Sequence, residues 1–318
     1  VPGQEAGHQM GKRTARYRST GRITLLLLLS SLVLGVCTTG GTTPAVSPTP
    51  TPISHPTGPQ DLVLRIETSG GLIPRLLNEF PELSVYGDGT IVTLGPQVMI
   101  YPPPVLPNLV QSRTSEEGLQ ILLQEAAAAG LLAGDADYPL PGVYDAPTTF
   151  FTVNAGGRTS RVSVYALGIE EADDPRLAPE QREARRKLAE FARKARDFLT
   201  WLPPETIREQ EAPYPITRLQ LVIFPADAPE VPQPAEEQFR NTRPWPLATP
   251  LADLGAAAPW AGASARCAVI AEPSELSELL RALRTASLFT HWQSDSERFW
   301  LVVRPLLPDE AGCAPRSW

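Results

Sequence analysis

Histidine is almost absent from this chain. Of 318 residues three are His, and of His8, His55 and His291 only His291 falls in the part that reads as folded. A metal centre of clustered imidazoles within one chain is thereby excluded. A Ser-His-Asp arrangement would need His291, but there is no G-x-S-x-G turn, and His291 beside Trp292 reads as an ordinary strand residue. Lysine is equally scarce. Beyond residue 36 only Lys187 and Lys194 occur, and Ala184 and Phe191 three positions before them remove the Ser-x-x-Lys pattern of penicillin-recognising enzymes. Gly87 and Gly89 are followed by Val92 where a dinucleotide-binding loop needs its third glycine, so they read as a turn.

Carboxylates are plentiful, but their spacing names no reaction. Asp135 and Asp137 could share a calcium ion, yet the remaining ligands of an EF-hand loop are missing. Asp173-Asp174 and Asp309-Glu310 stand near prolines and read as solvated turns. No catalytic residue, metal ligand or cofactor is predicted.

The start of the chain is informative. Lys12, Arg13, Arg16, Arg18 and Arg22 precede an apolar stretch from Ile23 to Val36, the order of a secretory signal peptide. Met10 stands directly before the basic cluster and is a candidate start, which would set residues 1–9 apart as an upstream extension. As a helix the apolar stretch would rise about 21 Å, short of the ~30 Å hydrocarbon core, so export is favoured over a spanning anchor. The stretch ends in Leu34-Gly35-Val36-Cys37, followed by Thr38-Thr39-Gly40-Gly41. These residues resemble the lipobox of bacterial lipoproteins, with Val36 standing where that class prefers Gly or Ala. The resemblance implies that the Cys37 thiol receives a lipid, that residues 1–36 are removed and that the chain stays on the cell membrane. Residues 37–60, with prolines at 44, 48, 50, 52, 56 and 59 among Ser and Thr, read as an extended, disordered tether.

Removing the five Lys/Arg and one Glu of residues 1–36 leaves 23 basic against 34 acidic residues, a formal charge of −11. An acidic body is a poor partner for phosphate backbones, and no nucleic-acid partner is predicted. The run Arg182, Arg185, Arg186, Arg193, Lys194 and Arg196 reads as a solvated helix face, partly answered by Glu183, Glu190 and Asp197.

From Asp61 the pattern is α+β: two sheet-plus-helix modules with antiparallel hairpins, at 61–203 and 204–318. Thirty-five prolines disfavour a helical bundle. In the first module Leu62, Leu64 and Ile66 open a strand, and Leu83–Tyr86 with Thr90–Thr93 form a hairpin across Gly87-Asp88-Gly89. Val98–Tyr101 reads as a brief strand ahead of Pro102. Thr114 and Glu117 suggest a capping box before a helix whose stripe is Leu119, Leu122, Leu123, Ala126, Ala127 and Leu131. A hairpin of Thr149–Val153 and Arg161–Tyr165 follows, then a helix from Pro179 to Leu202. In the second module Leu219–Phe224 is a strand, 225–262 a Pro-rich passage, Cys267–Ile270 a strand and Pro273 the start of a helix, before a hairpin of Phe289–Gln293 with Phe299–Val303. Both halves thus run helix, strand, turn, strand. The fragments Val85-Tyr86-Gly87-Asp88-Gly89-Thr90, Ser115-Glu116-Glu117-Gly118-Leu119 and Asp145-Ala146-Pro147-Thr148-Thr149 resemble uncharacterised domains of bacterial cell-envelope proteins over 61–167, which implies an exported α+β domain and carries no activity.

Cys267 and Cys313 remain once Cys37 is assigned to lipid, and export favours a disulfide between them. Trp245 and Trp260, in the Pro-rich passage, are candidate binding-surface residues, with packing against the sheet as the competing role. The function expected is a membrane-tethered extracytoplasmic lipoprotein with a non-enzymatic binding or structural role, its candidate partners an envelope protein or a glycan. The alternative is an extracytoplasmic hydrolase using carboxylates or an oxygen-liganded metal.

Overall fold

Strand alternation begins where expected, at β1 (Leu62–Ser69), and a register shift between Leu62 and Leu64 accompanies the burial of both Val63 and Leu64. The structure, a computed structural model, describes residues 51–70, 77–232 and 237–315. The leader, Cys37 and the tether as far as residue 50 lie outside the described residues.

β2 (Leu83–Tyr86) and β3 (Thr90–Leu94) form the first hairpin, with Val85 opposite Ile91. Its two glycines serve different ends. Gly89 has φ +84°, whereas a Cβ on Gly87 would meet the Pro56 carbonyl oxygen at 2.4 Å, so Gly87 makes room for the incoming chain. β4 (Leu109–Thr114) leads into α1 (Glu116–Ala128). The N-cap is Ser115, which accepts from the Gly118 N–H, and not Thr114, whose hydroxyl donates to the Thr206 carbonyl. Leu119, Leu122, Leu123 and Ala126 are buried as the stripe predicts, while Ala127 is exposed.

β5 (Ala136–Tyr138) precedes the hairpin of β6 (Thr148–Ala155) and β7 (Arg158–Tyr165). The long helix breaks at Asp197 into α2 (Pro179–Arg196) and α3 (Phe198–Trp201). β8 (Ile207–Pro213) then pairs with β4. The sheet order is β5-β7-β6-β1-β2-β3-β4-β8, antiparallel except for β5 beside β7. Leu188, Phe191, Ala192 and Ala195 of α2 join the α1 stripe over Ile66, Val85, Phe151 and Val164 in one core.

The second sheet is built from β9 (Leu219–Pro225), β10 (Asn241–Pro244), β11 (Ala256–Ala257), β12 (Arg266–Ile270), β13 (Thr290–Ser294) and β14 (Glu297–Pro305), with α4 (Pro273–Leu283) before the last hairpin. Its order is β10-β13-β14-β9-β12-β11. On β9, Leu219, Leu221 and Ile223 face α4, while Val222 and Phe224 face a second core with Trp300, Cys267 and Val231. The fold is therefore α+β with two sheets, as expected.

Two boundaries differ from expectation. β8 belongs to the first sheet, so the first module runs past residue 204 and the second begins near Leu219. The two modules are also not copies: β6, the first strand of its hairpin, pairs with β1, whereas β14, the second strand of its hairpin, pairs with β9. The tether ends earlier than Gln60. The Ile53 N–H and carbonyl both bond the Gln120 side-chain amide, at 2.8 and 2.9 Å, and the Ser54 carbonyl accepts from the Gly156 N–H. Ile53 also packs against the first core. One apolar side chain and a matching amide were enough to draw in a segment that composition alone marked as unpacked.

Candidate functional site

The basic run on α2 is only in part the solvated face expected. Arg185 is fully buried, donating to Glu170 and to the carbonyls of Tyr138, Tyr165 and Ala166. That pairing holds Glu170 below its ordinary range even though burial acts to raise it. Arg182 donates to the Asp174 and Leu177 carbonyls, Arg186 pairs with Glu183 and Glu190, Lys194 with Glu125 and Arg196 with Glu82. Asp174 is not a solvated turn residue but a buried one, held at about 2 by its hydrogen bonds from Arg176. Asp135 accepts from the Arg161 N–H and Asp137 from the Ser163 hydroxyl, which ties both to the edge of β7. Among the described residues no group of three or more His, Cys, Asp or Glu could hold a metal ion.

Cys267 on β12 and Cys313 are joined in a disulfide, with Cα atoms 5.5 Å apart. The tail they fasten is packed where it begins, with Leu306 and Leu307 buried. It also carries Asp309 and Glu310 into a network between the sheets. Asp309 accepts from Arg65 of β1 at 2.7 Å and from the Tyr86 hydroxyl at 2.8 Å. Arg304 pairs with Glu310, donates to the Glu79 carbonyl and lies over the Phe80 ring. Burial alone would raise Glu310, but Arg304 holds it below its ordinary range. Burial, with the nearby Glu310, pushes Tyr214 up to about 12. The turn expected at Asp309-Glu310 is thus a joint.

Trp245 and Trp260 do not form one surface. Trp245 is half-buried on the α4 side, edge-on to Trp292 with centroids 6.0 Å apart, and its indole N–H donates to the Thr249 carbonyl. Trp260 packs on the opposite face with the Phe224 and Trp300 core.

An open polar cleft of about 660 Å³ lies on that opposite face, at the β10–β13 edge. Antiparallel pairing sets His291 opposite Trp300, and parallel pairing sets it opposite Thr242. Arg298 lies two residues before Trp300 on the same face of β14. Asp227 follows the end of β9, and Glu237 and Arg240 precede β10, with 3.5 Å between the two side chains. The buried Phe299 also lines the space. His291 is held below its ordinary pKa by burial, then by the charges of Arg298 and Arg240, and its hydrogen bond to the Phe289 carbonyl only partly offsets this. It is neutral at neutral pH, and with its N–H given to that carbonyl the other ring nitrogen is an acceptor. Asn241 is anomalous here: its Oδ1 is shielded from solvent and has no hydrogen-bond partner. Residues from three separate segments meet in this cleft. Sequence spacing could not have found Arg240, Asn241 and Arg298, and the one signal was His291 itself.

Among the described residues no helix is long and apolar enough to cross a membrane. Comparison of this chain with protein-family models, with curated proteins and with solved structures produced no match.

Proposed function

We propose that this chain is an extracytoplasmic lipoprotein, tethered to the cell membrane through Cys37, that binds a hydroxyl-rich ligand of the glycan class and performs no chemistry on it. Export is supported by the basic-apolar-Cys order of the leader and by the Cys267–Cys313 disulfide, since such bonds persist in oxidising compartments. The observation that carries the ligand reading is the partnerless, solvent-shielded Oδ1 of Asn241 beside a polar cleft. Sugar hydroxyls donate and accept at once. Asp227 and Glu297 supply acceptors, as does the free ring nitrogen of neutral His291, and Arg298 supplies donors. Turning the Asn241 amide toward an occupant would satisfy an atom that has no partner within the fold.

Thermal unfolding in the presence of neutral and N-acetylated oligosaccharides tests the binding, because a ligand held only by the native state raises the melting temperature. Asn241→Ala and Arg298→Ala should each remove that rise. A panel that leaves the wild-type melting temperature unmoved at millimolar concentration defeats the reading. Intact mass of the membrane-extracted protein tests the tether separately: a species beginning at Cys37 with a lipid increment is expected, and any other N-terminus counts against it.

A further inference from the structure

The connection between β3 and β4 was expected to form a short strand at Val98–Tyr101; it is instead an exposed loop. Val98 is 63% exposed, Met99 96%, Ile100 57% and Tyr101 56%, four consecutive large apolar side chains turned to water. Collapse of such a loop onto the fold is prevented at both ends. At its neck the Gln97 side chain donates to the carbonyls of Gly95 and Asn108, at 2.7 and 2.9 Å, and the Asn108 side chain donates to the Pro96 carbonyl. At its far end the Tyr101 ring sits edge-on to Phe239 and Phe289, with centroids 4.9 and 5.7 Å away. Beyond it the Val105 N–H bonds the Ala286 carbonyl, and the Pro103 carbonyl accepts from Leu288. The apolar tip is held outward by hydrogen bonds and ring contacts that leave residues 98–100 without cover.

We infer that Val98, Met99, Ile100 and the outer edge of Tyr101 insert into the interfacial layer of a lipid bilayer. Three observations select a bilayer over a protein partner. The four exposed side chains offer on the order of 400 Å², about half of the ~800 Å² that each partner contributes to a stable protein interface. A bilayer needs no complementary shape. From Gly89 to Ser112 the sequence has no charged residue, so no charge in the loop resists an apolar phase, and no Lys/Arg cluster selects anionic headgroups. An aromatic at the base of an aliphatic tip also matches the depth preference of Tyr at the headgroup level. Because Phe239 directly precedes Arg240, the loop and the polar cleft share one end of the molecule. The inference depends neither on the glycan reading nor on lipidation.

The test uses the full chain carrying Cys37→Ser and Met99→Cys, with an environment-sensitive dye on the new thiol; Cys267 and Cys313 are already bonded to each other. Phosphatidylcholine vesicles should shift the dye emission to the blue. The same dye on Tyr144→Cys, at a site 84% exposed elsewhere on the surface, should not respond. Adding Val98→Asp and Ile100→Asp should abolish the shift without lowering the melting temperature, since both side chains are exposed. An unshifted Met99 label on chains that float with vesicles through their apolar leader overturns the inference. So does a shift that survives both Asp substitutions, or one that grows with protein concentration in the absence of lipid, which would assign the loop to a second copy.

Discussion

Strands β6 and β9 show how differently the two sheets are finished. Along β6 buried and half-exposed residues alternate without a break, so one face needs cover, and α1 and α2 supply it. Along β9 six successive residues from Leu219 to Phe224 are buried, so both faces need cover. One face receives α4. The other receives irregular, Pro-rich chain, with Ala228, Val231, Ala258 and Ala265 packed on Phe224 and Trp300. Helical cover is stabilised by its own hydrogen bonds and announces itself as a periodic stripe; irregular cover has neither property and needs a fastener. Here the fastener is the Cys267–Cys313 bond together with the Asp309–Arg65 joint.

The largest effects should come from removing the side chain each core is built around. Phe151→Ala in the first core and Phe224→Ala in the second should each cost about 3–5 kcal/mol, measured by denaturant unfolding. If Phe224→Ala is much the milder, the irregular cover collapses into the cavity and is softer than the helical one. Next, Asp309→Asn should lower stability by about 3 kcal/mol, because Arg65 keeps its charge in a largely buried position with its carboxylate gone. A value near zero would mean the two sheets hold together without the joint.

Cys267→Ser should cost roughly 2–4 kcal/mol, and hydrogen exchange should rise first in β12 and the tail while α1 and α2 keep their protection. Equal loss of protection in both sheets would erase the distinction drawn between them. Ile53→Asp should cost about 1–2 kcal/mol, since its side chain is only partly buried. An unchanged unfolding midpoint would return residues 51–60 to the role of a plain tether.

The smallest effect is on pH dependence. The folded pKa of His291 lies below its ordinary 6.5, so the unfolded chain takes up a proton that the folded chain refuses. Stability is therefore full above about pH 6.5 and declines as pH falls toward the lower folded value. Glu310, also depressed, acts in a lower window: its contribution is present above about 4.5 and is lost as pH falls through its folded value. His291→Gln should flatten the decline between pH 7 and 5 and leave the acid limb in place, which unfolding midpoints across that range will read.

Much of the first sheet was legible. The hairpin at Gly87–Gly89, the hairpin of Thr149–Val153 with Arg161–Tyr165 and the stripe of α1 were visible because turn chemistry and helical periodicity are local properties of the chain. The Cys267–Cys313 pair was legible for a different reason: two cysteines remained, and export favours their union. By contrast, β10 and β11 carry no alternation of their own, being short segments captured by β13 and β12. Arg185 looked like one more residue on a charged face because the carbonyls and Glu170 that surround it come from 138, 165, 166 and 170.

By itself the sequence determined the α+β class, the order of helices and hairpins, the acidic body and the partner of Cys267, all of which follow from composition or from neighbours a few residues apart. Only the tertiary structure decided that β8 closes the first sheet, that Asp309 joins the two sheets and that Asp227, Arg240, Asn241, His291 and Arg298 line one cleft. Those arrangements depend on which distant segments the buried faces of β1 and β9 attract. Burial is non-directional and acts on area, so it leaves no spacing in the chain to read.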